Sequence, residues 1–574
     1  MLASVLSAAM VPTAAAGPFE GEWIGGFQIG QEMVWLQVRF GGSDANMTGR
    51  ADVPAHGLRD ALLRHVQGDD RRLAFEIVGT DDTFSFTGAL TGQGTLSGSV
   101  RAGSRRTRFE LRPSRRLSAV ELGRIQGGYV VDDHVLLLYG DGNALGYIDY
   151  DTGQLGRLFP LRDGRFAAGL ELPGQDPSLI VVAERDGEDR VVGVSWQLRG
   201  KPVRHYRRSQ AYRSEAAQFR SRDGVMLSGV FLIPNTPGPH PSVVVASGSG
   251  ATHATSLMPY ADSLARGGVA VLLFDKRGVG ASGGTYLEAG IDVQAADALA
   301  GVDWLHAHPA VDADRIGIVG MSLGGWVAPL AASRDDRVTF LLLEAAPAVT
   351  PAAHERLRVE RQMKAADWPS RDIDQALAFM DRKFEVARTG IGWDELNERR
   401  ARGLREGWLT YVNAPVSLEA LRWSWDHLLS YDPRPALESL RVPVLALYGG
   451  ADTVVDSNLN ATVLEGLLAA HARNVTVRKI PDANHSFLRN DSAPGRARAF
   501  VRGYFEQRVA WVLSQGRPSA ERRPVLEPST ETPDPIEAAG TVLPRPPQCG
   551  SVPGGDTGVL ACAAPPPATY MLQP

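Results

Sequence analysis

The stretch Arg315-Ile316-Gly317-Ile318-Val319-Gly320-Met321-Ser322-Leu323-Gly324-Gly325-Trp326 constrains this chain more than any other. A short apolar run ends in a Gly-x-Ser-x-Gly box, and a helix-like segment from Val327 to Ala332 follows. That order asks for a strand, a sharp turn and a helix, with the serine on a strained turn that projects its hydroxyl from the end of a sheet. Small residues stand two before and two after it because the turn brings their backbones together. The box alone is weak evidence: with 62 glycines in 574 residues, chance supplies about half a match. A second box does occur, at Gly280-Ala281-Ser282-Gly283-Gly284, in a glycine-rich loop with no helix opening behind it. Context makes Ser322 the candidate and Ser282 the decoy.

Around that box, from Glu215 onward, strand and helix patterns alternate, which implies a mostly parallel sheet. Strands are expected at Val225 to Ile233, Ser242 to Ala246, Val269 to Phe274, Arg315 to Val319, Phe340 to Leu343, Val442 to Tyr448 and Val475 to Ile480. Several are continuously apolar, as in strands buried on both faces. Helices are expected at Leu257 to Ala265, at Asp292 to His306 with an aspartate at its start, and at Ala497 to Leu513. Between two of the strands, from Pro351 to Leu440, the pattern is helical and holds Trp368, Trp393, Trp408, Trp423 and Trp425. A long helical excursion at the top of such a sheet is expected to be a lid, with these tryptophans as its core.

The preceding 200 residues read differently. Short, partly alternating runs such as Trp23 to Phe27, Met33 to Val38, Leu73 to Val78 and Thr83 to Phe86 are separated by Gly, Asn and Asp clusters. They predict an antiparallel barrel or sandwich over 19–120. A second small β domain over 121–212 follows from Tyr129 to Val131, Val135 to Tyr139, Leu179 to Val182 and Val191 to Val194, with Asp-Gly turns at 141–142 and 186–187. These units read as packing or accessory domains, with glycan or lipid binding as the other reading. Together they are too short for a seven-bladed propeller, whose blades take about 40 residues each.

Bulk properties set the remaining limits. The length asks for two to four domains. A net charge of −5 with interspersed signs gives no case for a nucleic-acid partner. Met1 to Ala16 is apolar and ends in Ala14-Ala15-Ala16, as a signal peptide does, so export to the periplasm or medium is expected; without one the protein would be cytoplasmic. No other stretch has the roughly 18 unbroken apolar residues of a membrane span. Residues 515–574 are proline-rich and are expected to form a disordered tail. Cys549 and Cys562 lie in it and could pair if the chain is exported, which also leaves no cysteine for a zinc site elsewhere.

A serine hydroxyl becomes a nucleophile only when a base takes its proton, and the base must be held in one tautomer by a carboxylate. Among twelve histidines, His485 stands in the loop straight after the last expected strand. His471 at a helix end and His427 in the lid read as structural. For the carboxylate, Asp452 follows the strand ending at Tyr448, where ligands and catalytic groups collect in open α/β sheets. Asp456 competes with it, since either could cap the next helix, and Glu344 follows another strand.

Gly320-Met321-Ser322-Leu323-Gly324-Gly325-Trp326-Val327-Ala328-Pro329 resembles the elbow of α/β-hydrolase-fold serine hydrolases. The likeness is greatest to exported bacterial esterases and acyl hydrolases with an added N-terminal domain, and to the dienelactone-hydrolase and prolyl-oligopeptidase-like groups. Phe274-Asp275-Lys276-Arg277-Gly278-Val279-Gly280-Ala281-Ser282 resembles their loop after the fourth strand, which makes the decoy box a structural feature. Gly450-Ala451-Asp452 and Asn484-His485-Ser486-Phe487 resemble their acid and base loops. The resemblance covers about Glu215 to Leu513 and implies an α/β-hydrolase fold, doubly wound on a mostly parallel sheet, with catalytic unit 213–514 and lid 351–440. It implies Ser322 as nucleophile, His485 as base, Asp452 as its orienter, and a small-molecule acyl ester as substrate, with no metal or cofactor. Two departures stand out. Ser247-Gly248-Ser249-Gly250 replaces the usual His-Gly, leaving the N–H groups of Ser249 and Leu323 to form the oxyanion hole; Asp456 stands where the family carries proline. Thioesters, peptides, or a relic binding protein without catalysis are the other readings.

Overall fold

The computed structural model describes residues 17–515 apart from 30–31, 43–46, 80–82, 142–143, 171–172, 470–474 and 490–497. The signal-like stretch, His471, the Asp141-Gly142 turn, the tail and both cysteines lie wholly or partly outside the described residues.

Eight antiparallel strands between Gly21 and Ser114 close into a barrel. Period-two alternation decides which side chains enter it. Trp23 and Phe27 point into a core with Phe40, Phe75, Phe86 and Phe109, all at most 2% exposed, while Ile24 points out. A second antiparallel sheet has nine strands, eight of them consecutive from Gly127 to Ser209. Pairing of Ala144–Asp149 with Gln154–Pro160, and of Gly127–Val131 with Arg204–Ser209, closes those eight into a second ring. The run from Val135 to Tyr139 is apolar throughout because both of its faces are covered. Leu136 and Leu138 fill the ring's interior; Leu137 and Tyr139 pack outward on the α/β unit. Ile24, Phe159, Leu161 and Leu170 form the contact between the two barrels.

The α/β unit carries an eight-stranded sheet: β1 (Tyr212–Arg220), β2 (Met226–Pro234), β3 (His240–Ala246), β4 (Ala270–Phe274), β5 (Val311–Met321), β6 (Val338–Glu344), β7 (Val444–Gly449) and β8 (Val475–Ile480). Their spatial order is β1-β2-β4-β3-β5-β6-β7-β8. β2 is antiparallel to both neighbours; all pairs from β4 onward are parallel. Helices Ile291–His306, Gly324–Ala332 and Ser457–Leu468 pack on one face. Helices Met258–Arg266 and Tyr504–Ser514, with the outside of the second barrel, cover the other. The excursion after β6 folds as helices Pro351–Ala365, Ser370–Thr389 and Trp393–Glu406 with shorter pieces to Ser439. Its core holds Trp408, with Trp368, Trp393 and Trp425 packed against it, whereas Trp423, expected in that core, lies outside it and stacks on His427.

One element departs from the sequence reading. The closing helix, expected over 497–513, begins only at Tyr504, after Gly503 in the left-handed region at φ 78°. Arg498 and Ala499 pair instead with Leu155 and Gln154, adding a strand to the second barrel. The chain therefore crosses back to that barrel between β8 and its last helix. Among the described residues no helix is long and apolar enough to cross a membrane.

Candidate active site

Ser322 sits between β5 and the helix Gly324–Ala332 with φ 51°, a value that costs a non-glycine residue energy. Its N–H donates to the Glu344 carbonyl at 2.9 Å, pinning the turn to the end of β6. The flanking glycines are required for room. A Cβ on Gly324 would lie 2.0 Å from the Ala246 carbonyl, and one on Gly320 would lie 2.5 Å from the Gly324 carbonyl. The loop after β3 thus presses against the first turn of the elbow helix.

Two further loops bring the remaining groups together. Gly450 N–H donates to Ile480 O at 2.7 Å and Ala451 N–H to Ala483 O at 2.9 Å, lacing the loop after β7 to the loop after β8. Gly449 and Gly450 permit this approach, since a Cβ on either would meet backbone of the second loop at 2.4 Å. Asn484 shapes the second loop by accepting at Oδ1 from the N–H groups of Ser486 and Leu488. His485 then places Nε2 3.0 Å from Ser322 Oγ and Nδ1 2.8 Å from Asp452 Oδ2. Asp452 is 1% exposed, and its other oxygen accepts from the N–H groups of Val454 and Val455. Three side chains separated by as many as 163 positions converge at the carboxyl ends of β5, β7 and β8.

The competing residues have other employment. Asp456 caps helix Ser457–Leu468, accepting from Asn458 and Leu459 N–H. Glu344 is buried against Arg508 at 2.7 Å and accepts from the Tyr504 hydroxyl. His427 stacks on Trp423 and contacts the Trp423 carbonyl through Nδ1. Ser282 donates to the Asp275 carbonyl at 2.7 Å and accepts from Ser228 N–H at 3.0 Å.

For the expected oxyanion donors, Leu323 N–H lies at the head of the elbow helix, where the first backbone donors lack intrahelical partners. Gly325 and Trp326 N–H are already spent on the Ser322 and Leu323 carbonyls. Ser249 is half-buried. Its neighbours are held on both sides, by Lys276 Nζ donating to the Gly248 carbonyl and by Gly250 N–H donating to Tyr286 Oη at 2.7 Å.

Sequence reasoning expected a lid but named none of the residues with which it covers the site. Helix Pro351–Ala365 crosses the site and sets His354 edge-on against Trp326 at 5.7 Å. Burial lowers the His354 pKa to about 4, and its ring feels the charges of both His485 and Asp452. From the same helix Arg361 donates to the Asp452 carbonyl at 2.7 Å and reaches Asp456 at 3.5 Å. The helical period of the lid contained these residues, but nothing in the period says which turn lies over the elbow.

Residues 223–471 match the family model described as X-Pro dipeptidyl-peptidase (S15 family). Among curated proteins, the polyketide transferase af380 of Aspergillus fumigatus is 28% identical over 251 residues, 42% of this chain and 80% of that protein. The thiohydrolase aneE of Aspergillus aculeatus is 32% identical over 126 residues, 22% of this chain and 39% of that one. The chain spans less than half the length of the first curated relatives, such as 43% of an uncharacterized 31.7 kDa protein of Escherichia coli at 29% identity over 22% of this chain. Among solved structures, the Pyrococcus furiosus esterase Pf2001 aligns at TM-score 0.32 and 20% identity, over 48% of this chain and 84% of that one. All these likenesses fall far short of the full chain.

Proposed function

We propose that this chain is an α/β-hydrolase-fold serine hydrolase, as the match over 223–471 and the sheet order support, and that it cleaves carboxylic esters through an acyl-serine intermediate. The observation that carries this reading is His485 bridging Ser322 Oγ and the buried Asp452 carboxylate. Ser322 Oγ attacks the carbonyl carbon and its proton passes to His485 Nε2. Asp452 holds Nδ1–H and stabilises the imidazolium. The N–H groups of Leu323 and Ser249 take the charge on the carbonyl oxygen. Collapse expels the alcohol, which leaves with the proton from His485. Water then enters by the same route and frees the acid and the serine.

Ser322→Ala is expected to lower p-nitrophenyl ester turnover by about 10⁵-fold while thermal unfolding stays cooperative. Activity persisting in that variant overturns the assignment, and failure of a fluorophosphonate probe to label the parent protein would favour a relic fold. Against the relic stand the filled triad positions and two barrels whose interiors are occupied by their own aromatic and aliphatic side chains. The same machinery serves thioesters and peptides, and the family description and the thiohydrolase relative make both worth testing. Two barrels precede the α/β unit where prolyl-oligopeptidase relatives carry a propeller, which favours the ester. A panel of p-nitrophenyl esters, acyl thioesters and Xaa-Pro anilides ranks the three by kcat/KM. Export remains part of this proposal, supported by the apolar Met1–Ala16 stretch, and fusing that stretch to a periplasmic reporter tests it.

A further inference from the structure

The oxyanion loop is gripped from outside the triad. Lys276 and Tyr286, both beyond β4, hold the two peptide planes that meet at Ser249. A trans peptide is planar, with its C=O and N–H pointing in opposite directions. Lys276 Nζ binds the Gly248 carbonyl, so the Ser249 N–H, in that same plane, must point away from the lysine. Tyr286 Oη accepts from Gly250 N–H and fixes the next plane. With both planes held, φ and ψ of Ser249 are restrained from either side. A donor in contact with the Gly248 oxygen also polarises that amide, and makes its N–H a stronger donor.

The burial of the lysine argues that this grip has a use. Lys276 is 6% exposed, and a buried ammonium is expensive without an ion partner. Tyr286 sets its ring centre 5.7 Å from Nζ. The nearby acid Asp297 is already paired with Arg277. Desolvation brings the lysine pKa down to about 7. The cavity beside it, about 20 Å³, has room for a water. Nothing in packing demands an amine here, since a methionine would fill the same space.

We infer that Lys276 and Tyr286 are positioning residues that aim the Ser249 N–H at the oxygen on which charge develops during acyl transfer. This rests on the serine-hydrolase reading and adds to it the two side chains that preorganise its second oxyanion donor. An interaction used only in the transition state affects kcat and spares ground-state binding.

The test is steady-state kinetics on p-nitrophenyl acetate with Lys276→Met, Lys276→Gln, Tyr286→Phe and the Lys276→Met/Tyr286→Phe double variant, with Ser322→Ala in parallel. Lys276→Met is expected to lower kcat about 10- to 100-fold with KM within about twofold. Lys276→Gln, which keeps an N–H donor, is expected to recover part of the loss. The double variant is expected to lose less than the product of the single losses, because both grip one residue. Affinity for a trifluoromethyl ketone, which forms a charged tetrahedral adduct on the serine, should fall with kcat. Unchanged kcat in folded Lys276→Met, or a loss carried by KM alone, overturns the inference while leaving the triad untouched. Turnover surviving in Ser322→Ala would sink the underlying reading instead, so the two failures are distinguishable.

Discussion

Two segments of this molecule share the pattern Gly-x-Ser-x-Gly and do opposite things. At Gly320–Gly324 the serine itself adopts the left-handed backbone, and the glycines matter because they lack a Cβ where backbone meets backbone. At Gly280–Gly284 the serine is unstrained, and Gly280 and Gly284 supply positive φ values of 57° and 80°. In the first segment the hydroxyl is offered to a histidine; in the second it is consumed by two backbone groups. The lesson is about what a motif encodes. The same letters describe a spring-loaded turn in one place and a tied-down loop in the other, and the element next in the chain decides between them. A helix begins two residues after Ser322, whereas the loop holding Ser282 runs on to Thr285 before a single short turn.

The sharpest way to break that comparison is the pair Ser322→Ala and Ser282→Ala. The first should lower esterase activity about 10⁵-fold with stability nearly kept. The second should keep kcat within about threefold and cost about 1–3 kcal/mol of stability, because Ser228 N–H and the Asp275 carbonyl lose a buried partner. Ester turnover and urea denaturation measure the two effects side by side. Reversal of the pattern, with activity dying in Ser282→Ala, would show that the wrong box had been chosen.

Next in size is the contrast between the two aspartates behind the first box. Asp452→Asn keeps the shape but offers the wrong tautomer to His485, and kcat should fall about 10⁴-fold. Asp456→Ala removes a helix cap and a partly exposed ion pair with Arg361, with an expected cost of about 1 kcal/mol, visible in the melting temperature and scarcely in kcat. The glycines then test why each box needs them. Gly324→Ala forces a methyl to within 2.0 Å of the Ala246 carbonyl, and should cost about 3 kcal/mol or more. At Gly283, whose added methyl would first meet Met226 O at 3.4 Å, alanine should change the unfolding midpoint little.

How much of this could be seen in the amino-acid string obeys the same division between local and distant causes. The elbow, the acid loop and the base loop were legible because each is a short segment whose chemistry is written in adjacent letters: strand, glycine pair, then the functional side chain. Asp452 was preferred to Asp456 for its place in the loop straight after β7, and the structure sets Asp452 against the imidazole and leaves Asp456 as a helix cap. The barrels were legible where strands alternate strongly, as in Leu73 to Val78. They were illegible over Leu58–Gly68, where LRDALLRHVQG has a helix-like composition that tertiary pairing overrides. Arg498–Ala499 reads as helix because its partner strand lies more than 300 residues earlier. Lys276 stands within a motif, yet its contact with Gly248 arises only when the loops after β3 and β4 fold side by side. His354 lacked even a motif to stand in.

The last contrast separates the two boxes by pH. The helix after Ser322 is roofed by His354, whose pKa burial lowers from 6.5 to about 4, while the loop of the second box begins beside Lys276, lowered from 10.5 to about 7. In both cases the folded state disfavours the charged form, so the unfolded chain binds more protons over the intervening range and stability rises with pH there. His354's contribution is therefore whole above about pH 6.5 and is lost as the pH falls toward 4, by up to about 3 kcal/mol. Glu355 and Asp452 oppose this shift and Arg358 and His485 reinforce it, but burial outweighs them all. Urea denaturation of the parent and of His354→Leu between pH 4.5 and 7 tests the claim. The variant's stability should fall less steeply with acid than the parent's, while the alkaline slope between 7 and 10.5, which belongs to Lys276, stays as it was. Parallel profiles in the acid window would mean that the roof histidine already takes up its proton in the folded state, and that the space above Ser322 is wetter than its burial implies.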